Sequence, residues 1–438
     1  MRFCLVVALA LGACKGDSSS DRAQPEPPAA GSQATRSDAA TPAATHPSAD
    51  SATKPAAPAG KPGRDFLPEI AALYRVVGCG HLDQPLPASL SHGDPARAAA
   101  LMAVVDRHCK ALQPRMDKYR ADYFGKAREW FVAHEPKNLP KSVVYAFGGG
   151  DLVSALVAFP DATEITTISL ELSGDPRKLE ALTPDQLDTA LAGFRKDIGL
   201  LIDVGSNLST SLSDQQRSSI AAQLSSHLLG MATGGYEPVA ARFFTLDDAG
   251  AIHYFTKEEI DADVKPGTSL SGSWKAPSFA QSFYNVEIAY HAPGDPTLRT
   301  FRHIGWNLGN DYLAKHGNLL AHLDAKGKVA ICIKGGSYLL WLDDFSTFRR
   351  YALEHLAWMV TDSTGVAPNF VDASKLQQDA YGQFDGPPRG YGFEGLDGSK
   401  ADVAFRKLWA HPKDRMPFRF GYLDQNHHSH IVITQPVP

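Results

Sequence analysis

The sequence predicts an α/β fold, with a mixed sheet and flanking helices, preceded by a small helical subdomain. Two observations carry this prediction. Beyond residue 140, short apolar stretches typical of buried strands alternate with segments of helical periodicity. Gly148-Gly149-Gly150 then joins the first of these strands to a helix, as an opening βαβ unit requires. We therefore expect a helical subdomain over 64–140 and an α/β domain over 141–438.

The N-terminus has the layout of an export signal. Arg2 supplies the positive charge, and Phe3 to Leu11 is an apolar stretch too short to span a bilayer as a mature helix. Leu11-Gly12-Ala13-Cys14 resembles the lipobox of bacterial lipoproteins. The resemblance implies a signal peptide over 1–13, cleavage before Cys14 and diacylation of its thiol. The alternative is a plain signal peptide that is cut elsewhere.

A linker over 14–63 follows, and it begins with the lipidated Cys14. Residues 15–63 contain no Leu, Ile, Val, Met, Phe, Tyr or Trp. Such a segment has no apolar side chains to bury, so we expect a disordered Ala/Pro/Ser-rich spacer. Because Cys14 is expected to carry the lipid, the expected partner is a membrane, and the spacer would hold the folded part away from it. Lys15 stands where the lipoprotein resemblance places an Asp for inner-membrane retention, which favours the outer membrane.

Composition excludes some classes of function. The chain is 43% hydrophobic and carries a formal net charge of -5. This mild acidity, without a basic stripe, argues against nucleic acid as a partner. No stretch after the signal is apolar enough to predict a transmembrane helix.

The region 64–140 has the periodicity of helices. We predict one from Leu67 to Val77, one that begins at Asp94-Pro95, and one from Met116 to Val132. Asp94 is a preferred N-cap residue, and a proline directly after it suits the first helical position.

The cysteines divide by position. Cys4 leaves with the signal, and Cys14 is the lipidation site. Cys79 and Cys109 lie in the helical subdomain and, in an oxidising compartment, predict a disulfide. Two buried free thiols are the alternative. Cys332 lies in an apolar strand-like stretch and is expected to be buried.

Beyond residue 141 we predict a strand over 143–147, a helix over 151–159 and a strand over 165–172. Thr183-Pro184-Asp185-Gln186 is a capping box that opens the next helix. A helix over 346–360 and a loop over 363–400 are also expected. Further strands are predicted near 239–245, 251–256, 285–291, 299–306, 328–333 and 430–434.

The first strand, the glycine run and an acid at Glu171 resemble the Rossmann-like opening of dinucleotide-binding and class I methyltransferase folds. The resemblance implies that Gly148, Gly149 and Gly150 let the backbone approach a cofactor, while Glu171 bonds a ribose hydroxyl. Glu171 follows Asp151 by 171 − 151 = 20 residues, which fits.

The same stretch also departs from these families. Val153 stands where a dinucleotide fingerprint has its third glycine, and no acid precedes the glycines. Exported proteins have little access to such cofactors, so no cofactor is predicted. The alternatives are a tight strand-to-helix turn with Asp151 as the helix N-cap, or a site for another ligand at this turn.

A second candidate is Lys334-Gly335-Gly336-Ser337-Tyr338, which follows a buried-type strand. A lysine beside a serine at a strand end can supply a nucleophile with a basic partner. An exported enzyme, a hydrolase or transferase, would use both turns. Its candidate catalytic residues are Tyr145, Asp151, Glu171, Lys334 and Ser337.

A third candidate is the histidine cluster His427, His428 and His430, close to Asp424. In a strand, His428 and His430 share a face. Imidazoles at this spacing with a carboxylate suit a divalent metal such as Zn²⁺ or Cu²⁺. An exposed, idle histidine-rich turn is the alternative.

The stretch from Tyr145 to Asp151, together with Phe159-Pro160 and Leu170-Glu171, resembles a group of uncharacterised bacterial proteins with a Tyr-Pro-Phe-Ser-Gly-Pro-Asp type motif. Lys334 to Leu340 and Thr361 to Gly365 are similar to later motifs of that group. The resemblance covers most of the α/β domain and implies no known activity. The leading hypothesis is thus a membrane-anchored envelope lipoprotein whose α/β domain binds a ligand or an envelope protein, and an exported enzyme is the alternative.

Overall fold

The computed structural model describes the folded part of the chain with a few gaps. All described residues belong to one unit, Gly63–Pro438. The predicted signal peptide, Cys14 and nearly all of the predicted linker lie outside the described residues. These are 63–81, 86–204, 220–264, 280–384, 400–420 and 428–437.

The strands among the described residues form one mixed sheet of ten, which confirms the predicted fold class. Its strand order is β4-β3-β5-β6-β2-β1-β7-β8-β10-β9. The strands are β1 Ser142–Ala146, β2 Glu164–Ser169, β3 Glu237–Leu246, β4 Ile252–Tyr254, β5 Asn285–Ala292, β6 Asp295–Gly305, β7 Val329–Ile333, β8 Leu356–Thr361, β9 Leu376–Gly382 and β10 His430–Pro436.

The centre of the sheet is parallel. Strands β6, β2, β1, β7 and β8 pair in parallel, whereas β3, β4 and β5 extend one end and β9 and β10 the other by antiparallel pairing. Numbered along the chain, the five parallel strands stand in the order 3-2-1-4-5, the order of a dinucleotide-binding core. The chain thus reverses its direction of winding between β1 and β7.

Helices cover both faces of the sheet. They are α1 Leu67–Gly78, α2 Ala88–Ser91, α3 Pro95–Tyr119, α4 Gly125–His134, α5 Leu152–Ala158, α6 Pro184–Val204, α7 Ala222–Gly234, α8 Lys257–Asp263, α9 Asn310–Lys315, α10 Asn318–Asp324, α11 Ser346–His355 and α12 Lys400–Trp409. A π-helical turn, Arg120–Phe124, joins α3 to α4. None of the described helices combines the length and apolarity needed to cross a membrane.

The two faces of the sheet carry separate hydrophobic clusters. Tyr145 and Cys332 point to one face, where they pack with helices α1 and α3 to α7. Val144 and Ile331, their neighbours along the strands, point to the other face and pack with α9, α10 and α11. This alternation is the period-two pattern of a strand buried on both sides. The helices of 64–140 therefore share one core with the sheet.

Local sequence signals set several helix ends. The Asp94 carboxylate accepts the backbone N–H of Ala96 at the start of α3, as predicted. At α6, the Thr183 hydroxyl accepts the N–H of Gln186, and the Gln186 side chain accepts the N–H of Thr183. These two bonds are the predicted capping box.

The predictions for the three cysteines of the folded unit are confirmed. Cys79, just past α1, forms a disulfide with Cys109 in α3. Cys332 is a buried free thiol in β7. The disulfide closes a sequence separation of 30 residues, so it restricts the unfolded chain and ties the first helix of the folded unit to the longest one.

Two predictions beyond residue 340 are wrong. The predicted helix over 346–360 ends at His355, and Leu356–Thr361 is strand β8 between β7 and β10. The apolar residues of Leu356–Thr361 follow directly on those of the helix. Over so short a length, periodicity cannot distinguish a buried strand from a buried helix. The expected loop over 363–400 contains strand β9, whose polar residues Gln377, Gln378 and Asp379 hide the pattern.

Candidate functional site

A cavity of about 170 Å³ lies beyond the carboxyl ends of the parallel strands, where β1 and β7 are neighbours. In open α/β sheets this point of reversed winding is the usual ligand crevice. The turns that follow β1, β2, β6 and β7 supply its walls. The lining residues are Phe147, Gly148, Gly149, Asp151, Ser169, Leu170, Glu171, Trp306, Asn307, Leu308, Lys334, Gly335, Gly336, Tyr338, Leu339 and Phe345.

The turn after β1 has an unusual backbone. Phe147 has a φ of 60° and Gly149 a φ of 51°. A bulky residue in the left-handed region costs on the order of 1–3 kcal/mol, and such strain clusters at ligand sites. A Cβ on Gly148 would lie 2.8 Å from the ring of Tyr145. The predicted tight glycine turn is therefore present, and Phe147 forms part of the cavity wall.

Asp151 caps the helix after this turn and pairs with Lys334. Its Oδ1 accepts the backbone N–H of Ser154, as the N-cap alternative predicted. Its Oδ2 lies 2.8 Å from the Nζ of Lys334, which follows β7. Lys334 Nζ also donates to the Oγ of Ser154 at 2.8 Å. The pair thus fastens the turn after β1 to the turn after β7.

Two tyrosines complete this buried polar cluster. The Tyr145 hydroxyl donates to Asp151 Oδ2 at 3.2 Å, and the Tyr123 hydroxyl lies 2.9 Å from Ser154 Oγ. Burial alone would lower the pKa of Lys334, but the Asp151 carboxylate outweighs it and raises that pKa above its ordinary value. Burial, and then Asp151, raises the pKa of Tyr145 well above its usual range. Both groups stay protonated at neutral pH, so neither is a free base.

Ser337 belongs to a different network. Its hydroxyl donates to the Asp362 carboxylate and contacts the Thr364 hydroxyl. The backbone N–H of Gly335 donates to Asp362 Oδ2 at 2.8 Å, and the N–H of Gly365 donates to Ser337 Oγ at 3.1 Å. This network joins the turns after β7 and β8. Of the five candidate catalytic residues, three therefore cluster at Asp151, while Ser337 pairs with Asp362.

Glu171 stands apart from these networks. It lies two residues beyond β2, lines the cavity and is only 6% exposed. Its carboxylate forms no hydrogen bond or ion pair with any residue that the structure describes. Its oxygens are open to the cavity rather than closed off in the core, so a ligand bound there can supply the donors that the protein does not.

Two neutral groups of the cavity wall are also unpartnered. The hydroxyl of Ser169, at the end of β2, and the indole Nε1 of Trp306, after β6, are buried without a hydrogen-bond partner among the described residues. Both atoms are closed off from the cavity itself, so of these polar groups only the Glu171 carboxylate is open to a ligand.

Three residues that the sequence analysis did not single out hydrogen-bond to the backbone of the turns that line the cavity. The side chain of Gln223 and the Nε2 of His227, one turn apart on α7, both donate to the carbonyl of Gly149. His303 on β6 donates from Nε2 to the carbonyl of Glu171 at 2.7 Å. These bonds fix the two turns that carry the glycines and the acid. The spacing of Gln223 and His227 on one helix face is the signal that could have indicated them.

The two histidines are neutral at physiological pH. Burial lowers the pKa of His303 to about 4, although its bond to the Glu171 carbonyl opposes this change. Burial, and then the neighbouring His303, lowers the pKa of His227 well below its ordinary value. Their ring centroids are 5.0 Å apart. They contribute hydrogen bonds rather than charge to the site.

The structure describes only part of the predicted metal site. His427 and Asp424 lie outside the described residues. His428 precedes β10, and the Nδ1 of buried His430 accepts the N–H of Ser363 at 3.1 Å. The metal site at this cluster stays a prediction.

Elsewhere in the described residues, Cys79, His108 and Cys109 bring three potential metal-binding atoms within 4.8 Å of one another. The two sulfur atoms are joined in the disulfide and are not thiolates. Both ring nitrogens of His108 are engaged, one with the carbonyl of Val77 and one with Arg195. This group does not fit a metal in the oxidised protein.

No family model, no curated protein and no solved structure matches the chain.

Proposed function

We propose that the folded unit binds a small, hydroxyl-bearing ring compound, a nucleoside or a sugar, in the cavity at the carboxyl ends of β1, β2, β6 and β7. The observation that carries the proposal is Glu171. The residue is largely buried, and its carboxylate lines the cavity and has no partner among the described residues. Vicinal hydroxyls of a ring are natural donors to such a carboxylate.

The remaining walls suit the same ligand. Phe147, Trp306 and Phe345 place aromatic rings around the cavity, against which a flat or ring-shaped molecule can pack. Few convergent polar groups on a largely apolar surface are typical of small-molecule sites.

The hydrogen bonds and ion pairs of Lys334 and Ser337 favour ligand binding over catalysis. The exported-enzyme alternative needs a nucleophile beside a free base. Lys334 is held as an ammonium by Asp151, and Ser337, whose hydroxyl donates to Asp362, is fully buried and does not line the cavity. A hydrolase or transferase would require a rearrangement of both turns, so we place it second.

Replacement of Glu171 by Gln tests the ligand site. A thermal-shift screen of nucleosides and sugars should first yield a binder of the wild-type unit. We expect Glu171→Gln to weaken its binding about 10- to 100-fold, because a charge-assisted hydrogen bond contributes about 1.5–3 kcal/mol. Isothermal titration calorimetry measures the change. Glu129→Gln, the same replacement at an exposed position outside the cavity, is the matched control.

Two results would count against the site. One is a screen in which no nucleoside or sugar stabilises the protein. The other is a binder whose affinity is the same in wild type and Glu171→Gln.

We further propose that the chain is a lipoprotein attached to a bacterial membrane through Cys14, with the outer membrane favoured by Lys15. The proposal is supported by the lipobox-like Leu11-Gly12-Ala13-Cys14 and by the long stretch without large apolar residues that follows it. Two or three acyl chains, at about 0.8 kcal/mol for each buried methylene, are enough for stable anchoring.

The cysteine at position 14 decides this proposal. In cells fed labelled palmitate, we expect the wild-type chain to carry label and to sediment with membranes. Cys14→Ser should lose the label and leave the membrane fraction. Cys4→Ser, in the predicted signal peptide, should behave like wild type, because that residue is removed before the anchor matures. Label retained in Cys14→Ser would refute the anchor.

A further inference from the structure

The charges around the cavity do not balance. Three charged side chains line it among the described residues: Asp151, Glu171 and Lys334. The Asp151 carboxylate and the Lys334 ammonium neutralise each other at 2.8 Å. Glu171 has no counter-ion among the described residues. The cavity therefore presents one uncompensated negative charge.

The glycine turn is not arranged to hold an anion. In phosphate-binding turns, the ligand's oxygen atoms take the backbone N–H groups at the start of a helix. Here the carboxylate of Asp151 takes that place and accepts the N–H and the hydroxyl of Ser154. The helix that follows, α5, is only seven residues long. An incoming phosphate would thus meet a carboxylate at the very point where it needs donors.

Lys334 cannot serve the phosphate either. Its ammonium group donates to Asp151 and Ser154, and it lies 5.4 Å from the ring centroid of Tyr123 and 5.1 Å from that of Phe420. These partners belong to the core side of the site, and the lysine is only 5% exposed. A ligand that drew Lys334 away would leave Asp151 buried without its partner, which is strongly unfavourable.

We infer that the cavity selects neutral or cationic ring compounds and excludes their phosphorylated forms, so that nucleosides bind but nucleotides do not. This inference rests on the proposed function and specifies the ligand class for the same cavity. Glu171 is the specificity-determining residue, since its carboxylate attracts hydroxyl or amine donors and repels an anionic group in the same small space.

Matched ligand pairs test this selectivity. The pairs are adenosine and AMP, uridine and UMP, ribose and ribose 5-phosphate, and glucose and glucose 6-phosphate. Binding to the full chain is followed by isothermal titration calorimetry. We expect the unphosphorylated member of the bound pair to bind at least about tenfold more tightly at low salt, because like charges repel.

Two variants show whether Glu171 is responsible. In Glu171→Gln the side chain keeps its size but loses its charge. The affinity ratio between the two members of the pair should then fall to about threefold or less. The exposed Glu129→Gln should keep the wild-type ratio.

Each other outcome overturns a defined statement. If the phosphorylated member binds as tightly or more tightly, the exclusion of phosphate is wrong while the proposed function stands. If neither member of any pair binds, the proposed function fails and the inference fails with it. If the selectivity is unchanged in Glu171→Gln, its assignment to Glu171 is wrong.

Discussion

Replacement of Lys334 by Met should destabilise the folded unit by about 3–5 kcal/mol, because removal of one partner from a buried ion pair leaves the other charge uncompensated. Asp151 is 3% exposed, and its remaining partners, Tyr145 and Ser154, are neutral hydroxyls and a backbone N–H. Chemical denaturation, followed by circular dichroism, measures the free energy of unfolding.

A double replacement separates the charge from the packing. In Lys334→Met combined with Asp151→Asn neither position carries a charge, so the double variant should be more stable than Lys334→Met alone. Lys137→Met, at an exposed lysine, should change stability by less than about 0.5 kcal/mol. A loss below about 1 kcal/mol in Lys334→Met would show that the pair does not hold the two turns together.

Acidification from pH 7 to pH 4 should lower the free energy of unfolding by about 3 kcal/mol through His303 alone. In the unfolded chain this ring takes up a proton below about pH 6.5, whereas burial keeps it neutral in the folded protein until its pKa of about 4. The unfolded state therefore binds more protons between these values, and stability falls as the pH falls. His227, whose pKa is also lowered by burial, acts in the same direction.

The His303→Gln variant isolates this contribution from that of the carboxylates. An amide donor can replace the Nε2–H bond to the Glu171 carbonyl but does not titrate. Its free energy of unfolding should fall between pH 7 and pH 4 by about 3 kcal/mol less than that of wild type. His411→Gln, at an exposed position, should follow wild type. Equal pH dependence in His303→Gln and wild type would contradict the buried neutral state.

Much of the fold could be predicted because its signals are local. Asp94 and Thr183 are capping residues whose partners lie within three positions, and β1 and β7 are continuous apolar stretches. The failures have the same origin. Leu356–Thr361 becomes strand β8 because it pairs with β7 and β10, strands that are distant in sequence from one another, and no local pattern contains that information.

The sequence predicted the parts of the site that depend on local pattern and missed those that depend on long-range contacts. The glycine turn and Glu171 follow from the pattern of strand, turn and helix. The partnership of Asp151 with Lys334 joins residues 183 positions apart, and it changes Lys334 from a candidate base into a fixed cation. Glu171 has no partner among the described residues, and His303 and Gln223 hold the neighbouring turns, because of the way the strands and helix α7 are brought together in the fold. The sequence names the residue types, but the fold decides which of them have partners.

The position of β10 has a consequence for the order in which the sheet is assembled. This strand lies between β8 and β9, yet it follows β9 by 430 − 382 = 48 residues. Until that later segment has emerged, β8 and β9 each present an unpaired edge, and exposed edges invite association with other chains. Assembly of the last three strands therefore waits until residues 430–436 have been synthesised, and the open edge of β8 stays exposed to association during that interval.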